Sequence, residues 1–404
     1  MTVPASPLLD PASNLLDERQ RSVVQRVSDA ERAHILGLPS NDPLDAQLRA
    51  RVLATGPELF AQPAAIRSTL QRNSSQLREI AARFAAGFDR VVLVGAGDSL
   101  AVMMASRLLL ESQLGVPCEP VQSLEFAYFQ AGSVNERTAV IALSSSGETT
   151  RTVEALLMAQ HRKAYTVAVT NTVGSTLQAE ADVSLVVQAT RVGWPTQSST
   201  AALALLFDLA VRAGERRRVD CAPRLRAALE SMPDAMTMVL ARLDDPIAGL
   251  ADREVSARVR TVLFSGGGPS LASAVIGAAK VKECTALLRA EVIQVEEYQH
   301  YNSQKAGEPL VLIAPTGWTV PRAVDTGRDA HRWGGRLHVV TTDGETAFDQ
   351  LEPETTLRLP AGPEELSALL TVLPAQLIGY HLGLSSYAQA VARHRSPGRT
   401  VPDA

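Results

Sequence analysis

The sequence predicts an α/β protein made of two tandem lobes behind a helical N-terminal extension. Short valine-rich runs are followed by glycine turns and helical patterns, the alternation that builds a parallel sheet. The strand, glycine turn and helix near residue 90 recur about 170 residues later, near residue 261, as an internal duplication. The 404 residues are 46% hydrophobic and 20% charged, enough apolar material for two domain cores. A net charge of −4 lacks the basic footprint that nucleic acid or an acidic membrane surface would require, so neither is an expected partner.

Residues 1–56 read as the extension, with a helix over 17–36 and a break at Gly37-Leu38-Pro39-Ser40. The first lobe is expected over 57–220. It opens on a broken helical lead-in, where Leu59, Ile66, Leu70, Leu77, Ile80 and Phe84 recur at three-, four- and seven-residue spacings and Gly87 stops the pattern. A strand from Arg90 then runs into the turn Gly95-Ala96-Gly97-Asp98-Ser99 and a helix. Further strands are expected at 138–144, 164–171 and 182–189, with helices at 147–161 and 197–213. Residues 221–255 read as a helical linker. The second lobe, 256–404, repeats the grammar from Thr261, including Ser270-Leu271-Ala272 against Ser99-Leu100-Ala101. Strands at 309–315 and 336–342 and a helix at 365–384 follow, before a polar, irregular tail.

Cys118, Cys221 and Cys284 are far apart, with no CxxC pair and no local His cluster, so neither a disulfide framework nor a metal site is expected. No stretch reads as a leader or a membrane span, and a reducing cytoplasm fits best. Lys163, Lys280, Lys282 and Lys305 are the chain's lysines, which restricts any mechanism needing an amine nucleophile.

The segment Leu143-Ser144-Ser145-Ser146-Gly147-Glu148-Thr149-Thr150 ends a strand and opens a helix. It presents hydroxyls and backbone N–H groups where the helix dipole is positive, which suits a phosphate. The bland alternative is that these residues merely cap the helix. Gly95-Ala96-Gly97 is only a fragment of a dinucleotide fingerprint, since Leu100 stands where the third glycine would, and no Gly-Lys-Ser/Thr occurs; no cofactor is expected. Asp98 is awkward beside a phosphate unless it points away or binds a sugar hydroxyl. Glu283 and His300 supply a carboxylate and an imidazole, the pair that could shuttle a proton beside a carbonyl and open a sugar ring. Read plainly, Glu283 is a surface helix residue paired with Lys280, and His300 a solvated loop residue.

Over about residues 57–404 the chain resembles the double SIS (sugar isomerase) domain family, and within it the isomerase half of glucosamine-6-phosphate synthase. The likeness rests on the lead-in from Glu58 to Leu70, Gly95-Ala-Gly-Asp-Ser99, Gly115-Val-Pro-Cys118, Ser144-Ser-Ser-Gly-Glu-Thr149 and Lys280-Val-Lys-Glu283. It implies two tandem SIS lobes, each a flavodoxin-like three-layer sandwich. It also implies that Ser99, Ser144, Ser146 and Thr149 hold the phosphate of a sugar phosphate, with Ser145 where the synthases place a glutamine. Thr196 falls near a position that contacts sugar hydroxyls. Glu283 matches the glutamate that moves a proton between C1 and C2, and His300 the ring-opening histidine, which the family supplies from the other subunit of a homodimer.

Three departures qualify the resemblance. Residues 1–50 are too short for a glutaminase half. Arg399 stands where the synthases use a Schiff-base lysine, and a guanidinium cannot form that imine, although it could clamp an anion. Tyr301-Asn302 replaces the family's Gly-Pro after the histidine. The expected activity is therefore metal-independent aldose–ketose isomerisation of a phosphorylated sugar through a cis-enediol, in a specialised sugar pathway. The alternatives are an aminosugar-phosphate deglycase or aminotransferase fed ammonia by a partner, and a non-catalytic sugar-phosphate sensor.

Overall fold

The computed structural model describes residues 15–300 and 304–395. The chain divides into two compact units, one drawn from 1–38, 64–189 and 197–230, the other from 39–63, 190–196 and 231–404.

In the first unit, helix α1 (Glu18–Leu36) is started by a capping box: the Asp17 carboxylate accepts from Gln20 N at 2.7 Å, and the Gln20 side chain accepts from Asp17 N at 3.1 Å. Its buried face is Val23, Val24 and Val27. Helix α2 (Ala46–Phe60) belongs to the second unit, and the lead-in continues as α3 (Gln62–Arg72) and α4 (Ser74–Ala86), stopped by Gly87 at φ 111°. The lead-in thus breaks into short helices, beginning at residue 46.

A parallel sheet follows: β1 (Arg90–Gly95), β2 (Cys118–Gln122), β3 (Thr138–Leu143), β4 (Tyr165–Thr170) and β5 (Val183–Val186), in the order β2-β1-β3-β4-β5. β1 and β3 are buried almost throughout, which explains why they read as unbroken apolar runs. Val92, Val94, Val140, Ala142 and Ala168, spaced by two along their strands, share one core cluster with α1 and α6 (Thr150–His161). Helix α5 (Asp98–Leu114) packs with α8 (Gln197–Arg217), and a short α7 (Thr176–Glu180) precedes β5. The long helix α9 (Ala222–Ser256) leads to the second sheet.

That sheet repeats the first: β6 (Thr261–Gly266), β7 (Arg289–Gln294), β8 (Pro309–Ile313), β9 (Arg336–Thr342) and β10 (Thr355–Leu359) lie in the order β10-β9-β8-β6-β7. The order is the same 2-1-3-4-5 in both units, the flavodoxin-like arrangement. Helices α10 (Pro269–Cys284), α11 (Val320–Arg332) and α12 (Ala368–Arg395) complete this unit. β7, β10 and α11 were not legible in the sequence. β7 and β10 are edge strands with polar residues interleaved, and α11 buries only small or branched residues such as Ala323, Val324 and Ala330.

Residues 368–394 of α12 are long and apolar enough by composition to cross a membrane, against the expectation that no such stretch exists; 78% of the tested window is buried inside the protein. Its apolarity serves packing against α10. A Cβ at Gly379 would stand 2.4 Å from Lys280 Cβ, and one at Gly383 would stand 2.6 Å from the Cys284 carbonyl oxygen. The two glycines, four residues apart, let α12 lie directly on the turn of α10 that carries Glu283. Gly379→Ala should force the helices apart at a cost of about 1–3 kcal/mol, measurable as a lower midpoint in thermal unfolding; an unchanged midpoint would show that this contact is slack.

Candidate active site

The loop after β3 is built by its own hydroxyls. Ser144 Oγ lies 2.9 Å from Thr149 Oγ1 and 3.2 Å from Ser146 Oγ, and it accepts from Gly147 N at 3.1 Å. Ser146 Oγ accepts from Glu148 N at 3.1 Å. Gly147 has φ +66°, and a Cβ there would sit 2.1 Å from Ser175 Oγ, so only glycine fits. The Ser145 carbonyl is held from the neighbouring loop by Asn171 N at 3.0 Å and Thr172 Oγ1 at 3.2 Å. These bonds keep residues 147–149 out of the helix, which starts at Thr150 rather than Gly147. Three hydroxyls therefore converge in a fixed cradle at the start of α6, whose first N–H, that of Thr150, donates to Glu31 Oε2 at 3.1 Å.

Ser99 belongs to the first turn of α5, which follows β1. β1 and β3 are neighbours, and the chain leaves them in opposite directions along the sheet, so their loops flank the crevice at the topological switch point, where α/β sheets bind ligands. The turn itself is constrained. Gly97 has φ 57° and ψ −131°, and its counterpart Gly268 has φ 54° and ψ −134°, a region essentially closed to other residues. A Cβ on Gly95 would meet Ser99 backbone at 2.8 Å, and one on Gly266 would meet Ser270 backbone at 2.7 Å. The duplication thus extends to backbone angles. Asp98 is the first residue of α5, where its charge complements the helix dipole.

In the second unit Glu283 lies near the C-terminal end of α10 with its side chain 26% exposed, ion-paired to a Lys280 side chain that is 1% exposed. A plain surface pair is thereby corrected: the ammonium is wholly buried, and removing one member of such a pair costs about 3–5 kcal/mol. Thr196 is buried at the end of the loop 190–196. Helix α2 pins that loop. Glu58 Oε1 accepts from Val192 N at 2.7 Å, Thr55 Oγ1 accepts from Trp194 N at 2.8 Å, and the Arg51 guanidinium stacks 3.8 Å from the centre of a Trp194 ring. A Cβ on Gly193 would stand 2.5 Å from Thr55 N. His300 ends a single exposed turn, 298–300, anchored by buried Tyr298, which stacks on Trp333 at 5.3 Å. Arg399, Tyr301 and Asn302 lie outside the described residues.

The structure thus brings Ser144, Ser146 and Thr149 into direct contact, sets Ser99 in the helix turn that follows the adjoining strand, and pairs Glu283 with Lys280. Sequence reasoning missed Arg51, Thr55 and Glu58, since all three fall in the stretch read as extension or lead-in. Their i, i+4, i+7 spacing was the available signal. Among the described residues one group could offer a metal three ligands, Glu254, His338 and Glu354, but the Arg336 guanidinium already pairs with Glu254 there.

Comparison with known proteins shows what the chain is similar to. Residues 87–212 match the SIS domain. Glutamine–fructose-6-phosphate aminotransferase (isomerizing) of Pyrococcus horikoshii is 28% identical over 334 residues, covering 81% of this chain and 54% of that protein. The Aquifex aeolicus protein of the same name is 29% identical over 348 residues, covering 85% and 57%. The chain therefore spans about half the length of the curated relatives it matches. Among solved structures, the C-terminal domain of glucosamine-fructose-6-phosphate aminotransferase from Francisella tularensis superposes with a TM-score of 0.71 at 20% identity, covering 81% of this chain and 95% of that one. Tagatose-6-phosphate ketose/aldose isomerase from Escherichia coli gives 0.67 at 20%, covering 81% and 91%. Both share the fold.

The second unit's own switch point is filled differently. A Cβ on Gly317 would lie 2.2 Å from the Glu364 carboxyl, which accepts from the Trp318 backbone and approaches Gly268. Burial, and then the neighbouring Glu365, push the Glu364 carboxyl up from 4.5. A raised carboxyl binds its proton more tightly folded than unfolded, so it costs stability as pH rises from about 4.5 through the raised value. Glu364→Gln, which keeps an acceptor for Trp318, should therefore unfold at a higher temperature than the parent at pH 8, with the gap closing towards pH 4. An equal gap at both pH values would refute the role of ionisation.

Proposed function

We propose that this chain, which carries a SIS domain at residues 87–212, is an aldose–ketose isomerase acting on a phosphorylated sugar. The observation that carries the reading is the hydroxyl cradle of Ser144, Ser146 and Thr149 at the switch point of the first sheet. Phosphate oxygens are acceptors, and the cradle offers hydroxyl donors at a helix N-terminus, chemistry that suits a phosphomonoester once the Glu31 carboxylate bonded to Thr150 N gives way. Ser99 and Ser145 join this set, Thr196 meets a sugar hydroxyl, and Arg399 clamps an anionic or hydroxyl group.

In the reaction, His300 assists ring opening by moving a proton between the ring oxygen and the anomeric hydroxyl. Glu283 then removes the proton from the carbon beside the carbonyl and returns it to the former carbonyl carbon, while a proton passes from the neighbouring hydroxyl oxygen to the former carbonyl oxygen through the cis-enediol. The carbonyl moves by one carbon and no electrons leave the substrate. The pairing with Lys280 supports the base role, because it holds the carboxylate in place while its side chain retains partial access. The reading includes a homodimer that shares active sites, in the cytoplasm, with no metal or redox cofactor in the written steps.

A second reading is favoured by the relatives named as aminotransferases: the same carboxylate would serve an aminosugar phosphate, with ammonia brought by a separate partner.

Proton NMR in deuterated water tests both. Incubation with fructose 6-phosphate, glucosamine 6-phosphate and seven- and eight-carbon sugar phosphates should place deuterium at C1 or C2 of one of them. Glu283→Gln, which preserves an acceptor for Lys280, should lower exchange by at least about 10²-fold while the sugar phosphate still binds. Ser144→Ala should weaken binding instead. Exchange confined to the aminosugar with ammonia present would favour the second reading, and saturable binding without any exchange would favour a sensor.

A further inference from the structure

We infer that Arg51 is a positioning residue that ties the 190–196 loop to the Glu283 carboxylate, so that seating the sugar and charging the base depend on one guanidinium. The role in turnover rests on the isomerase reading; the mechanical tie does not.

Three observations meet at this side chain. Its guanidinium lies 3.8 Å from the centre of a Trp194 ring, in the loop that ends at Thr196. The same helix face holds that loop through Thr55 and Glu58, so Arg51 completes a polar stripe at i, i+4 and i+7 whose three members act on one short segment. Finally, Leu48 and Val52 of the same helix pack with Cys284, the residue after Glu283, in one apolar cluster that Trp194 joins, which sets α2 against the end of α10; burial holds the Arg51 guanidinium below its ordinary value, with the Glu283 charge opposing that shift. A planar cation is needed for both duties. An ammonium could supply the charge but not the flat face that stacks on indole.

The charged and titratable groups around Glu283 are Lys280 and Cys284 on its own helix, Arg51 on α2 with Glu58 and Arg191 beyond it, and Tyr380 on α12 against Cys284. Cys284 and Tyr380 are pushed up by burial and stay neutral at ordinary pH. Lys280 pairs with the carboxylate directly, and the Arg51 charge interacts with it.

The test compares Arg51→Met with Arg51→Lys in the full chain, checked for folding by circular dichroism and thermal unfolding. Arg51→Met should move the acid limb of kcat/KM upward by about 0.5–1 pH unit, because a base that loses a nearby cation is protonated more easily, and should raise KM. Arg51→Lys should restore the acid limb but leave KM raised, since the stack is still missing. Hydrogen exchange of the Val192 and Trp194 amides gives an activity-independent reading: it should quicken about tenfold in Arg51→Met. Unchanged amide exchange with an unchanged pH profile overturns the inference. Quickened exchange in a protein whose parent isomerises nothing leaves the tie standing and overturns the isomerase reading. A merely structural role would raise KM in both variants without moving the acid limb.

Discussion

The parallel pairing of two doubly buried strands is the constraint from which each unit is organised. β1 against β3, and β6 against β8, carry side chains that face protein on both sides, so their backbone bonds run in full register and their loops all leave at one edge. Because the chain departs from each pair in opposite directions, the two loops at the carboxyl edge part and leave a crevice. What each crevice can hold is then decided by a few side chains on loops the sheet has already placed.

The two units show how far the same frame can diverge. Their glycine turns agree to within a few degrees at Gly97 and Gly268, which a Cβ would forbid. At the first crevice the loop after the partner strand is a run of hydroxyls bonded to one another. At the second the corresponding loop turns at Gly317 around the protein's own carboxylate, Glu364. A helix terminus and a glycine turn suit an anion in both places, and in both a carboxylate of the protein stands close by: Glu31 accepts from Thr150 N at the start of α6, and Glu364 lies against Gly317.

The charge arrangement of the second unit has a similar economy. Lys280 is almost completely buried, and Glu283 supplies the compensating charge while keeping part of its surface open. The close helix crossing made possible by Gly379 and Gly383 excludes water from Lys280, and that exclusion strengthens the pair. Helix α2 then adds Arg51, Thr55 and Glu58 from one face. The ion pair and the loop 190–196 are thus held by the same packed helices.

Residue order alone determined the elements whose signal is local. The capped helix from Glu18, the valine-rich central strands, the glycine turns and their duplication were all legible, because strand burial, capping and positive φ leave marks on neighbouring residues. So was the hydroxyl loop, whose donors are consecutive. Edge strands 289–294 and 355–359 were not legible, since polar residues interleave at their partly open positions and no apolar run survives. Nor was the α2 stripe, because Arg51 gains meaning only beside Trp194, well over a hundred residues away in sequence, and Lys280 looks like any exposed lysine until α12 covers it. Local conformational preference was written in the sequence, whereas burial of a charge and the company it keeps were decided only when distant segments packed together.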